Sequence, residues 1–263
     1  MNSIHQRLYK RFCIAMNARS GPNSLSINYP FLCVSRILIG ISIVGLAFLT
    51  GVGSVHADAS DNVVVKEITF DRLKVQLIQQ RQFEWQSCPD GYYDDIVLRG
   101  EIGPESSYAI EKLLSQVRRC TFVKNGRTLT NRTLVFLESN GGLLSDGFRM
   151  GRMFRRHGVV VSVKSGRTCA SSCAVAFLGA NERHLSGTAT LLFHAPYYAR
   201  GLAIQCATKA GAEDMRRYFI EMLDKPVGQR LFDLAMMYCG SNEAWEMNSV
   251  KGFEYGILNQ HDK

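Results

Sequence analysis

The stretch TLVFLESNGGLLSDGFRMGRMFRRHGVVVSVK, residues 133–164, decides how the rest of the chain is read. Thr133 to Glu138 is a short apolar run, long enough for a buried strand and too short for a helix. Asn140-Gly141-Gly142 ends it, and Ser145 to Arg156 follows with helical periodicity until Gly158 stops it. Val159 to Lys164 is again a strand. Strand, helix and strand in that order call for a crossover between parallel strands.

The same alternation extends in both directions. Upstream, VVVKEITF (63–70) alternates as a strand, CPDGYYDD (88–95) reads as a turn or loop, and Ile96 to Glu101 as a strand. Ser106 to Val117 has helical spacing after Pro104. Downstream, Ala170 to Leu178 is a small-residue apolar helix, and Thr190 to His194 is a strand. Residues 209–237 follow a helical pattern interrupted by Pro226 and Gly228, and a short helix ends near Gly256. The expectation is one α/β domain over residues 58–263, with a parallel sheet and crossover helices. There is no internal repeat, low-complexity segment or linker to divide it.

Apolar residues make up 46% of the 263 and charged residues 21%, which excludes bulk disorder. The net charge of +8 suggests a nucleic-acid partner until it is located. Residues 1–57 hold Arg7, Lys10, Arg11, Arg19 and Arg36 and no acid, so the remainder carries 26 basic against 23 acidic residues. No nucleic-acid partner is implied. Within that leader Ile37 to Thr50 is an apolar run of 14 residues, and Val55-His56-Ala57 suits cleavage after Ala57. An export signal is expected, giving a periplasmic or secreted protein. An uncleaved leader that anchors the chain to the membrane is the alternative.

Export changes the reading of the cysteines. Six lie beyond the leader: Cys88, Cys120, Cys169, Cys173, Cys206 and Cys239. An even number in an oxidising compartment indicates disulfides, with 15 pairings open. Zinc is not expected, because Cys169 and Cys173 form the one close pair and no second pair completes a tetrahedral site. No phosphate-binding glycine loop is present, and no cofactor is called for.

Three features could carry chemistry. Ser139-Asn140-Gly141-Gly142 ends a buried strand with two residues able to present bare N–H groups. Cys169-Ala170-Ser171-Ser172-Cys173 turns into an apolar helix, where free N–H groups favour an anion. A serine at that point is also a preferred helix cap. His194 ends a strand before Ala195-Pro196 and is available as a general base.

Together these residues resemble the Clp protease proteolytic subunit and its exported relatives, the periplasmic ClpP-like proteins of the crotonase-like superfamily. The resemblance runs from about Ile96 to Leu258. That superfamily has an S-P-G-G loop, here Ser139-Asn140-Gly141-Gly142, and an A-S-x-G-A loop, here Ala170-Ser171-Ser172-Cys173-Ala174. Its H-Q-P sequence corresponds to His194-Ala195-Pro196. The resemblance implies a fold of repeated β-β-α units, with Ser171 as nucleophile and His194 as base. The N–H groups of Gly142 and Ser172 would form the oxyanion hole. The third triad member, an aspartate, would precede Phe253-Glu254-Tyr255-Gly256-Ile257, but the matching position holds Ala244. Glu243 and Glu246 are the nearby candidates for an orienting acid. A Ser–Lys dyad through Lys164 or Lys209 is a further option.

The function implied by the resemblance is that of a serine peptidase acting on peptides or unfolded protein. The competing expectation is a non-catalytic scaffold or peptide-binding protein with a decayed triad. The resemblance also makes a homo-oligomer plausible through the segment between His194 and Ala244. An exported chain has no ATP-driven unfoldase available.

Overall fold

The computed structural model describes residues 63–200, 203–240 and 242–259, so the expected leader lies outside the described residues. The chain enters through β1 (Val63–Phe70) and β2 (Leu73–Arg81), passes the two-residue β3 (Gln86–Ser87), and reaches β4 (Tyr92–Ile102). After α1 (Ser106–Leu114), a hairpin of β5 (Thr121–Lys124) and β6 (Arg127–Thr130) joins β3 in a small separate sheet. β7 (Leu134–Gly142), α2 (Leu144–His157) and β8 (Val160–Val163) then form the crossover expected of residues 133–164. They are followed by β9 (Thr168–Ala170), α3 (Ser172–Leu178), β10 (Glu182–Leu185) and β11 (Thr190–Phe193). A hairpin, β12 (Tyr197–Arg200) and β13 (Ala203–Cys206), precedes α4 (Glu213–Leu223) and α5 (Lys225–Ala235). β14 (Trp245–Met247) and α6 (Ser249–Glu254) close the described chain.

The main sheet forks at β7. Leu134 to Phe136 pair in parallel with β8, which pairs in parallel with β10. Ser139, further along the same strand, pairs instead with Cys169 of β9, which pairs in parallel with β11. Each limb is reached through a short bend, one closed by Arg167 N–H donating to the Lys164 carbonyl and one by Ala189 N–H donating to the Ser186 carbonyl. The strands therefore come as β8–β9 followed by α3 and as β10–β11, the expected β-β-α repeat. β1, β2 and β14 extend the sheet antiparallel at its two ends.

α3 explains why the limb is held firmly. Every one of its residues is buried, as expected of a helix that is apolar all round. Tyr218 of α4 is wholly buried against it and donates its hydroxyl to the Val175 carbonyl at 3.1 Å.

Three sequence expectations change in detail. CPDGYYDD is a loop only as far as Gly91, because β4 begins at Tyr92 and takes in two buried acids. They are tolerated there because each is satisfied: Asp94 by three bonds from Arg118, Asp95 by the Leu134 N–H at 3.1 Å. The helix expected from Ala170 starts at Ser172, and Ala170 ends β9. Pro226 and Gly228 do not interrupt the 209–237 segment. The break falls at Asp224, with φ 91°, whose side chain caps Val227 N–H at 3.0 Å. Pro226 sits in the first turn of α5, where its missing N–H leaves no bond unmade. Gly228 lies against α4, and a Cβ there would stand 2.5 Å from the Phe219 carbonyl oxygen.

Candidate active site

β7, β9 and β11 run parallel, so their carboxyl ends gather on one side, the side where open α/β sheets place ligands. Gly141 and Gly142 end β7, Ser171 follows β9, and His194 follows β11. Ala170 is the ladder partner of Leu192, and Ser171 N–H donates to the Leu192 carbonyl at 2.8 Å. His194 is two residues beyond Leu192, about 7 Å further along an extended chain.

Ser171 holds φ 55° and ψ −125°, a conformation that a residue with a side chain rarely adopts. Its side chain caps nothing, so the helix-cap reading of this serine fails. Three constraints hold the turn. Ser171 N–H is bound to β11, and its carbonyl accepts from Val175 N–H at 3.0 Å. Cys169 and Cys173 are joined by a disulfide with Cα atoms 5.2 Å apart, both side chains buried. The sequence leaves these two cysteines free to pair with distant partners. In the structure those partners pair among themselves, Cys88 with Cys120 and Cys206 with Cys239.

The two serines differ sharply. Ser172 is wholly buried and its hydroxyl has no hydrogen-bond partner. Ser171 is half-buried, so its hydroxyl is the one presented at the strand ends. Gly141, with φ 97°, packs directly on it: a Cβ at 141 would stand 2.6 Å from Ser171 Cβ and 2.7 Å from the Ala170 carbonyl oxygen. In that loop Gly141 N–H donates to Ser139 Oγ at 3.0 Å and Leu143 N–H to the Ile102 carbonyl at 2.7 Å. Gly142 lies between these two committed amides.

His194 is half-buried, and its Nδ1 lies 2.9 Å from the Ala195 carbonyl oxygen. A carbonyl can only accept, so Nδ1 carries the proton and Nε2 of the neutral ring is left as the acceptor. The ring also faces Tyr197, with centroids 5.4 Å apart. His194 and Ser171 both follow the last rung of the β9–β11 ladder and are not hydrogen-bonded to each other.

Phe193 of β11 pairs with Trp245 of β14 in the last rung of that ladder, and beyond it Ala195 bridges Cys239, its N–H donating to the Tyr238 carbonyl at 3.0 Å. Glu246 is the partner of Leu192, and Glu243 and Glu246 are both exposed. Neither is bound to His194. The two lysines are engaged elsewhere: Lys164 Nζ lies 4.0 Å from the Phe136 ring centroid, and Lys209 binds Asp233 at 2.5 Å. No group of three or more His, Cys, Asp or Glu side chains is arranged to hold a metal among the described residues.

A cleft of about 770 Å3 runs from the carboxyl end of β7 to the entry of β9, beside Ser171 and His194 rather than lined by them. Its walls include Gly141, which abuts Ser171, and Tyr197, which faces His194. Arg99 and Arg167 line it and share Glu138, through Arg99 Nε at 3.0 Å and an Arg167 terminal nitrogen at 2.8 Å. Arg72 binds Glu101 at 2.7 Å beside them. Sequence reasoning misses Tyr197 and these arginines. Tyr197 is within its reach, three residues after His194, whereas the arginines come from three distant segments.

No protein-family profile and no curated protein sequence matches this chain. Among solved structures it is similar to the membrane-bound stomatin-specific protease 1510-N, at 12% identity and a TM-score of 0.47, over 62% of this chain and 75% of that one. It is also similar to ClpP1 from Listeria monocytogenes, at 18% identity and a TM-score of 0.42, over 62% of this chain and 87% of that one. The forked, largely parallel sheet with crossover helices is the α/β architecture expected from the sequence.

Proposed function

We propose that the protein is an exported serine peptidase that cleaves amide bonds in peptides or unfolded protein through an acyl-enzyme on Ser171. The observation that carries this reading is the turn at Ser171: a strained backbone, a hydroxyl spent on no cap, and Gly141 packed beneath it. Strain of that kind costs on the order of 1–3 kcal/mol and persists where the surroundings enforce it, commonly at functional sites.

In the reaction, Ser171 Oγ attacks the substrate carbonyl carbon while His194 Nε2 takes the hydroxyl proton. The carbonyl electron pair moves to oxygen, where the N–H groups of Gly142 and Ser172 stabilise it. Collapse breaks the C–N bond, and the leaving amine takes the proton from His194. Water then attacks the ester with His194 as base, releasing the acid and restoring Ser171. Proton transfer needs the Ser171 hydroxyl within about 3 Å of Nε2 or one bridging water, so a side-chain rotation accompanies substrate binding. The Ala195 carbonyl does part of what an orienting acid would do, and Glu243 and Glu246 flank the position at Ala244 where a carboxylate would stand. Three disulfides support the export reading.

The test is a fluorophosphonate probe on full-length protein purified with its disulfides intact. Labelling is expected in the wild type and in Ser172→Ala, and lost in Ser171→Ala and strongly reduced in His194→Ala. A folded wild type that takes no label supports the scaffold reading instead, which Ala244 favours.

A further inference from the structure

The cleft beside Ser171 carries more positive charge than its own ion pairs consume. Glu138 has one oxygen bound to Arg99 and the other to Arg167, and Glu101 is bound to Arg72. Three guanidinium groups thus face two carboxylates. A single cation would neutralise Glu138; two are held against it. Each guanidinium has five N–H donors in a planar fork, and Glu138 engages only one nitrogen of each. The other nitrogens of Arg99 and Arg167 bind nothing else among the described residues. These side chains are 49% and 53% exposed, so water or a ligand reaches them. Glu138 therefore acts as a brace: it fixes two forks in place and leaves their remaining donors open.

Deepening the peptidase reading and resting on it, we propose that Arg99 and Arg167 form a carboxylate-binding subsite selecting peptides with an acidic group near the cleaved bond. The distance follows from the ladder. Arg167 precedes Ser171 by four residues and immediately precedes β9, a span of about 13 Å, so a peptide lying extended across the cleft meets it roughly four residues from the scissile carbonyl. Paired guanidinium groups suit a carboxylate because two parallel N–H···O bonds form without moving the arginines. The carboxylate comes either from a Glu or Asp side chain or from the free end of the peptide.

Binding is measured by calorimetry on the oxidised, full-length Ser171→Ala protein, which leaves the peptides intact. The ligands are ten-residue peptides of one neutral sequence in which a single Glu, or Gln as control, is walked through every position. Each is made with a free and with an amidated C-terminus. The expected result is one Glu position, or the free terminus, that binds about 10-fold tighter than its neutral counterpart, with the preference shrinking in salt. In Arg99→Gln/Arg167→Gln the ratio falls to about one, and Arg167→Lys recovers part of it because charge remains without the fork. No preference at any position, or a preference that survives the double substitution in protein of unchanged Tm, overturns the proposal. Fluorophosphonate labelling of the wild type in parallel reports on the peptidase reading separately. A protein that takes no label yet prefers Glu retains the subsite and loses the chemistry.

Discussion

His194 Nδ1 lies 2.9 Å from the Ala195 carbonyl oxygen, a backbone group in the place that a carboxylate takes in a full triad. Under the proposed mechanism the carbonyl fixes the tautomer but would contribute no negative charge to steady an imidazolium. Ala244, next to Trp245 at the end of the β11–β14 ladder, holds the position where the family resemblance would put such a charge. Ala244→Asp is therefore expected to speed fluorophosphonate acylation of Ser171 by about 10-fold, a fraction of the roughly 10⁴ that the carboxylate is worth in a complete triad. An unchanged rate in folded protein would show that the Ala195 bond already supplies all the orientation the ring needs.

Gly141→Ala should remove labelling while leaving the protein folded. The added methyl would meet Ser171 Cβ and the Ala170 carbonyl, and φ 97° strains any residue with a side chain. A loss of about 100-fold or more in acylation rate with a small fall in Tm is expected. Labelling at the wild-type rate would mean that the turn relaxes without cost.

The disulfide across Ser171 should matter more to chemistry than the other two. Cys169→Ala/Cys173→Ala is expected to slow acylation at least about 10-fold, because it frees a turn whose conformation is unfavourable by itself. Cys88→Ala/Cys120→Ala, which unties β3 and β5 far from the strand ends, should lower Tm but preserve the acylation rate of the folded fraction. Equal effects of the two pairs on acylation would rule out a local role for the Cys169–Cys173 bond.

Much of the architecture is readable from residues 133–164, where period and glycine placement both point to strand, helix and strand, and the structure forms them within a residue at each end except that β7 runs on four residues to Gly142. Ser171 and His194 are legible as candidates because one stands where a turn feeds an apolar helix and the other ends an apolar strand. The fork at β7 is not, since β8 and β9 are short runs separated by a bend that looks like any loop. The arginine subsite is invisible for another reason: residues 72, 99 and 167 are brought together only by the pairing of β2 with β4, β4 with β7 and β7 with β9.

Asp95 supplies a pH signature of the fold itself. Burial pushes its carboxyl up to about 6, outweighing the Leu134 N–H bond that favours the charged form. The folded state thus holds this proton more tightly than the unfolded chain, whose carboxyl titrates near 3.8. This group's contribution therefore makes the protein more stable as pH falls from about 7 towards 4, and less stable above 6. Asp95→Asn, which can still accept from Leu134, should raise stability at pH 8 by up to about 3 kcal/mol and flatten the pH dependence of Tm between 4 and 7. A steeper dependence in the variant would contradict the assignment.

The Cys169–Cys173 bond also sets an order of events. A disulfide persists only where the surroundings are oxidising, and a newly made chain in a reducing cytosol carries these two residues as thiols. The turn at Ser171 then lacks its crosslink for as long as the protein remains where it was synthesised. If the proposed function holds, completion of the Ser171 turn is tied to arrival in an oxidising compartment, and the compartment itself would serve as the activating agent.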